Sequence, residues 1–155
     1  MCALIASSKP VLSKQLQNVV DFFLKKNTPE FGDTISNLKL QKLVYYAQGF
    51  HLALYENELF PEELVAWEHG PVVEKLYFKY NEHGSLAIPE PDSVDLTQFN
   101  EKQLSLLNEV YDVYGQFSAW KLRNMTHSEQ PWIETTKNEI IDKALMREFF
   151  KTLLN

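Results

Sequence analysis

The sequence predicts a mainly α-helical fold, a single compact multi-helix domain carrying a small extended or two-stranded β element. Three observations lead there. At least five segments place apolar residues at three-and-four spacing, no long run alternates apolar with polar, and Gly and Pro fall between the periodic segments rather than inside them. Any strands should be short and confined to about Leu59 to Trp67 and Leu86 to Ile88. A chain of 155 residues with 45% hydrophobic and 23% charged residues is the size and composition of one domain with a real core. The expected division is a flexible segment over residues 1–11 and the helical domain over 12–155.

The elements follow in order. Leu12, Leu16, Val19, Val20, Phe23 and Leu24 mark a first helix closed by Asn27-Thr28-Pro29, and Glu30 to Thr34 read as a loop. Ser36 or Asn37 caps a second helix with Leu40, Leu43, Val44, Ala47, His51 and Leu54 on one face, which puts Lys39 and Lys42 on the other. Leu64-Val65-Ala66-Trp67 reads as a minor strand. The spacing of Val72, Leu76 and Tyr80 predicts a third helix from Pro71 to Tyr80, ended near Gly84. Leu86 to Asp95, with Pro89 and Pro91, form a surface connection. Glu101 to Tyr114 form a fourth helix stopped by Gly115, with Leu104, Leu107, Val110, Tyr111 and Tyr114 inward. Ser118 caps a short helix bearing Trp120 and Leu122, a further turn starts at Pro131, and Ile140, Ile141, Leu145, Phe149 and Leu153 mark the last helix.

The densest stretch is Trp67-Glu68-His69-Gly70-Pro71-Val72-Val73, running into Leu76 and Tyr77. Gly70 can take backbone angles closed to other residues, and Pro71 fixes its own φ, so the chain must turn here. The corner presents Trp67 and His69 at a fixed angle to the helix that follows.

Function classes narrow quickly. A formal net charge of −6 argues against a nucleic-acid partner. Cys2 is the only cysteine, which rules out an internal disulfide and a multi-cysteine zinc site and fits a cytoplasmic location. Met1 to Ala6 is too short and lacks the leading positive charge of a signal peptide, and no apolar run approaches the ~20 residues that span a bilayer. There is no phosphate loop, no dinucleotide fingerprint, no His-Glu-x-x-His pair and no nucleophile elbow, so no cofactor and no metal are expected. His51, His69, His83 and His127 lack metal-ligand spacing. Glu68 next to His69 is the best candidate for a proton-transfer pair, but the corner accounts for both without chemistry, and an enzyme using Glu68, His69 and His127 is the last-ranked alternative. No enzymatic activity is expected.

Aromatic residues offer more. Trp67, Trp120 and Trp132 all sit beside turns, where they either fill a core between short helices or anchor an interface. Lys39, Lys42, Lys75 and Lys79 read as plain surface, with an acidic partner as the alternative.

Three segments in order carry a resemblance. Leu38-Lys39-Leu40-Gln41-Lys42-Leu43-Val44-Tyr45-Tyr46-Ala47-Gln48-Gly49 comes first, then Leu59-Phe60 with Glu63 through the corner, then Thr126-His127, Glu129 and Pro131-Trp132. Together they resemble the Panacea domain, the family of SocA-like antitoxins and phage-associated proteins, from about Leu12 onward. The family more usually carries Pro where this chain has Glu74, a departure confined to the first turn of a helix. The resemblance implies an antitoxin that neutralises a co-encoded, cognate protein toxin by direct binding. The alternative it implies is an adaptor that delivers the toxin to an AAA+ protease, with Met1 to Pro10 as the candidate tether. Many members add a DNA-binding segment; the sequence outside the domain is too short for one, so promoter binding is not expected. Trp67, His69, Gly70, Pro71, Tyr77, His127 and Trp132 form the candidate partner-binding set, with the corner and the 126–132 segment expected on one surface.

Overall fold

One helix organises the protein in this computed structural model, which describes residues 9–27 and 34–154. Helix α2, Asn37–Tyr55, starts where the Ser36 side chain accepts from the Lys39 N–H and ends at Glu56 in the left-handed region. Almost every residue from Asn37 to Ala53 is buried, because other elements surround it on all sides. Helix α1, Lys14–Lys26, lies against it with Leu16, Val19, Val20 and Phe23 inward. The Ser13 side chain caps α1, and its N–H and Oγ both donate to the Glu62 carboxylate at 2.7 Å.

The expectation of a mainly helical fold with a minor strand pair holds, although the strands are placed differently. β1, Val65–Trp67, pairs antiparallel with β2, Gly70–Val72, in the register Val65 to Val72, Ala66 to Pro71 and Trp67 to Gly70. Glu68 and His69 form the turn between them. The helix expected from Pro71 is therefore shorter: Pro71 sits in a strand, where its missing N–H is tolerated at an edge, and helix α3 spans Glu74–Tyr80. Glu74 occupies the first helical position, the place where a Pro fits well. Leu86 to Ile88 form no strand; a single bond joins the Ile88 N–H to the Ile35 carbonyl at 2.9 Å.

Two one-turn 3₁₀ helices, Asn81–His83 and Leu96–Gln98, flank the Pro-containing connection. Helix α4, Glu101–Tyr114, opens with a capping box between Asn100 and Gln103. Its fully buried residues are Leu106, Leu107 and Val110, while Leu104, Tyr111 and Tyr114 pack partly buried at the edge of the core. Helix α5, Ala119–Thr126, is capped by Ser118, and the single-turn helix α6, Gln130–Ile133, holds Pro131 in its first turn.

The last helix, α7, spans Lys143–Lys151 and buries Met146 and Phe150. Ile140 and Ile141, expected inside it, belong instead to an extended stretch along β1, with Asn138 N–H donating to Ala66 O at 2.7 Å and Ile141 N–H to Leu64 O at 2.8 Å. Phe150 lies directly over Gly49 of α2, where a Cβ would fall 2.1 Å from the Phe150 ring. Among the described residues no helix is long and apolar enough to cross a membrane. The expected flexible segment falls mostly outside the described residues, as do the Thr28-Pro29 stop and nearly all of the expected Glu30 to Thr34 loop.

Candidate partner-binding site

The hairpin stands on a foundation of buried polar groups that α2 supplies. Lys39 and Lys42, expected on a solvated face, are both buried, because α2 has no such face there. The Lys39 Nζ donates to the Gly115 carbonyl at 2.7 Å, and the Lys42 Nζ donates to the Pro71 carbonyl at 3.0 Å. Burial, reinforced by the nearby Arg123, pulls the Lys42 ammonium down to about 7. Gln41 accepts from the Val73 N–H at 2.9 Å and donates to Asn37, which in turn donates to the Tyr77 carbonyl at 3.0 Å. Gln48 closes the same side, donating to the Phe60 carbonyl and accepting from the Leu59 N–H. Lys79 bonds Gln17, and Lys75 is exposed.

Gly70 has φ +107° and lies close over Lys42 and Thr126: a Cβ there would fall 2.6 Å from Thr126 Oγ1 and 2.8 Å from Lys42 Cε. Both the backbone angle and the space require glycine. Pro71 is buried next to it.

The 126–132 segment meets this hairpin from the other side. Trp132 Nε1 donates to the Trp67 carbonyl at 2.7 Å, and His127 stacks on the Trp132 ring at 3.8 Å and 10°. The His127 Nε2 has no partner among the described residues. Burial and then the Arg123 charge lower the His127 pKa. The Lys137 ammonium lies 5.2 Å from the Trp132 ring centre. At the start of α6, Glu129 accepts from the Tyr45 and Tyr46 hydroxyls at 3.0 and 2.9 Å, and Tyr46 stacks on Tyr114. Burial pushes the Glu129 carboxyl up to about 7, against the downward pull of the two phenols.

The outer surface is aromatic and cationic. Trp67 is edge-on to Tyr77 at 5.1 Å and to the exposed Phe78 at 6.3 Å. His69, at the tip, leans on Trp120 and accepts from Arg123 Nε at 3.4 Å, while the Arg123 guanidinium lies 4.6 Å from the Trp120 ring centre. Trp120 is 54% exposed. An open groove of about 490 Å³ runs beside the turn, lined by Leu38, Trp67, His69, Val72, Tyr77 and Asn138 among others.

The expected proximity of the two segments is therefore present. Trp67, His69 and Tyr77 border the groove or the tip, whereas Gly70 and Pro71 lie buried beneath and His127 and Trp132 brace the hairpin from behind. Arg123, Phe78 and the placement of Trp120 were not legible as part of this face. The one available signal is the Ser118 cap, which puts Trp120 and Arg123 three apart on the same helical face. Among the described residues no hydrogen bond joins the Glu68, His69 and His127 side chains: the His69 Nδ1 faces Arg123, and His127 is stacked behind the turn. Among the described residues no group of three His, Cys, Asp or Glu side chains is placed to hold a metal ion.

Neither the curated proteins nor the solved structures contain a match to this chain. The family model described as antitoxin SocA-like, Panacea domain, matches residues 40–133, the stretch in which Tyr45 and Tyr46 meet Glu129, Lys42 meets Pro71 and Trp132 meets Trp67. The chain thus belongs to the SocA-like antitoxin family, through its Panacea domain.

Proposed function

We propose that this protein is an antitoxin that neutralises a co-encoded protein toxin by direct binding, and that it uses the hairpin face to do so. The observation that carries the reading is the group of exposed Trp120, His69 and Phe78 with half-buried Arg123, brought together from α5, the hairpin turn and α3 next to a groove, about a hairpin whose backbone is fixed from two sides. Exposed aromatic and Arg side chains on a rigid support are the residues that dominate protein interfaces. They cost little entropy to order on binding, since the supporting carbonyls are already engaged. The reading assigns the protein no catalytic cycle and a site of action in the cytoplasm.

The test begins with the reading frames flanking the gene, each expressed alone and then with this protein. One of them should arrest growth alone and be rescued by co-expression. Trp120→Ala and His69→Ala, combined, should abolish rescue while the variant melts within a few degrees of the wild type. Toxin abundance during rescue separates the two modes: an unchanged level means blocking, and a level that falls only when an AAA+ protease is present means delivery. A folded double variant that still rescues moves the binding site off this face.

A further inference from the structure

We propose that Arg123 is a preformed receptor for an Asp or Glu side chain of the protein partner, seated beside an aromatic or aliphatic residue of that partner that enters the groove. The proposal rests on reading the hairpin face as the toxin-binding surface. A guanidinium offers five N–H donors in a planar fork. Here Nε donates to His69 at 3.4 Å and Nη1 to Asn124 Oδ1 at 3.0 Å, and the plane lies against Trp120. These contacts hold the fork in place, and among the described residues none of the ion pairs reaches Arg123. Among the described residues Glu68, in the hairpin turn beside His69, makes no ion pair either. The fork is oriented, and among the described residues its protein partners are His69 and Asn124 alone.

The neighbouring elements bring further cations, with the Glu68 carboxylate of the hairpin turn opposing them. Lys121 is exposed on α5, Lys137 lies over Trp132, and Lys42 lies beneath, close enough that Arg123 lowers its pKa. This cationic spot sits on a chain of net charge −6, so a polyanion such as nucleic acid is repelled by the whole while a single carboxylate is attracted by the part. One guanidinium matches one carboxylate in a bidentate pair, whereas a phosphate is better served by several converging cations. His69 touches Arg123 and also lines the groove, which puts an apolar neighbour of that carboxylate over Trp67 and Tyr77.

A random peptide library displayed on phage and panned against the full-length protein, with Trp120→Ala as counter-selection, tests this. Enriched peptides should carry an Asp or Glu close to an aromatic or aliphatic residue. Their affinity should fall about 10- to 100-fold for Arg123→Gln, fall less for Arg123→Lys, and weaken with added salt. Enriched peptides without an acidic residue, equal binding by Arg123→Gln, displacement by an oligonucleotide, or no enrichment at all would each overturn the proposal. Toxin rescue separates its failure from that of the surface reading. If Trp120→Ala loses rescue and Arg123→Gln keeps it, the surface stands and the carboxylate receptor falls; if Trp120→Ala keeps rescue, the surface itself falls.

Discussion

Gly70 shows how one missing side chain holds the corner together. At φ +107° an L side chain is strained, and a Cβ would press on Thr126 and on the Lys42 stem, so Gly70→Val should destabilise by about 2 to 4 kcal/mol through strain and overpacking together. Glu74→Ala, at an exposed first helical position, should change the urea midpoint little, and Glu74→Pro should be tolerated equally well. Equal small shifts for all three would remove the special status of the turn. Beneath it, buried Lys42 and half-buried Glu129 give opposite pH slopes. Glu129 has a native pKa raised from 4.5 to about 7, so between those values the native state keeps a proton that the unfolded chain has released, and stability falls as pH rises, by on the order of 3 kcal/mol. Lys42 is depressed from 10.5 to about 7; there the unfolded chain keeps the proton, and stability rises with pH from about 7 to 10. The groups facing them are Tyr45, Tyr46 and Tyr114 for Glu129, and Arg123, His127 and the Pro71 carbonyl for Lys42. Urea titrations at several pH values should therefore show the acid-side slope flattened in Glu129→Gln and the alkaline-side slope flattened in Lys42→Met. Parallel wild-type and variant curves would place those slopes on other groups.

Between elements, the joint that matters most for the proposed surface is Trp132 on Trp67. The indole N–H donates to a β1 carbonyl at 2.7 Å, and this places α6 and the stacked His127 behind the hairpin. Trp132→Phe keeps an aromatic ring for His127 and Lys137 but removes the donor, so it should cost about 1 to 3 kcal/mol. It should also loosen the turn, read as faster hydrogen exchange at Glu68 and His69 with unchanged exchange in α1. Uniform exchange would mean that the joint carries no local order. Much at this scale was legible in sequence: Ser36, Ser118 and the Glu101 to Tyr114 helix announce themselves through local caps and periodicity. The misreading of Lys39 and Lys42 has one cause. Helical periodicity assumes one apolar face, but α2 is enclosed on all sides, so its lysines and amides go to carbonyls of other elements instead of to water. Pro71 misled in a similar way, since a proline that starts a helix and one on a strand edge look alike locally; what decides is the pairing of Ala66 with it and the Lys42 bond to its carbonyl. The expectation that Trp67 and Trp132 belong together was sound, but the hydrogen bond joining them spans the sequence and leaves no local pattern. Arg123 stayed hidden because nothing in Arg-Asn-Met marks a cation held on an indole.

Across the whole molecule, the family segment and the folding unit do not coincide. The matched stretch, residues 40–133, holds the hairpin, the Glu129 cluster and most of α2, and so contains all of the groove lining except Asn37, Leu38 and Asn138. Yet two sides of α2 are covered by helices outside it. Helix α1 supplies Leu16, Val19, Val20 and Phe23, all fully buried. Helix α7 supplies Met146 and Phe150, the latter packed on Tyr45, Tyr46 and Phe50 and filling the space above Gly49. Even the hairpin borrows from beyond the segment, since the second edge of β1 is bonded to the 138–141 stretch. Removing these pieces would expose Tyr45 and Tyr46, leave the β1 edge unpaired, and strip a helix that is apolar on most of its circumference. Each large buried side chain contributes about 1.5 to 3 kcal/mol, and the six named here are only part of those lost, against a total stability of about 5 to 15 kcal/mol for a domain. A fragment spanning residues 40–133 should therefore fail to fold alone: calorimetry should show no cooperative transition and dye binding should report exposed apolar surface, while a fragment spanning residues 9–154 should melt like the full chain. Loss of toxin rescue by the short fragment would then reflect lost structure and would say nothing about its contacts. A cooperative melt of residues 40–133 would show that the family segment is autonomous and that α1 and α7 add stability to a core already complete.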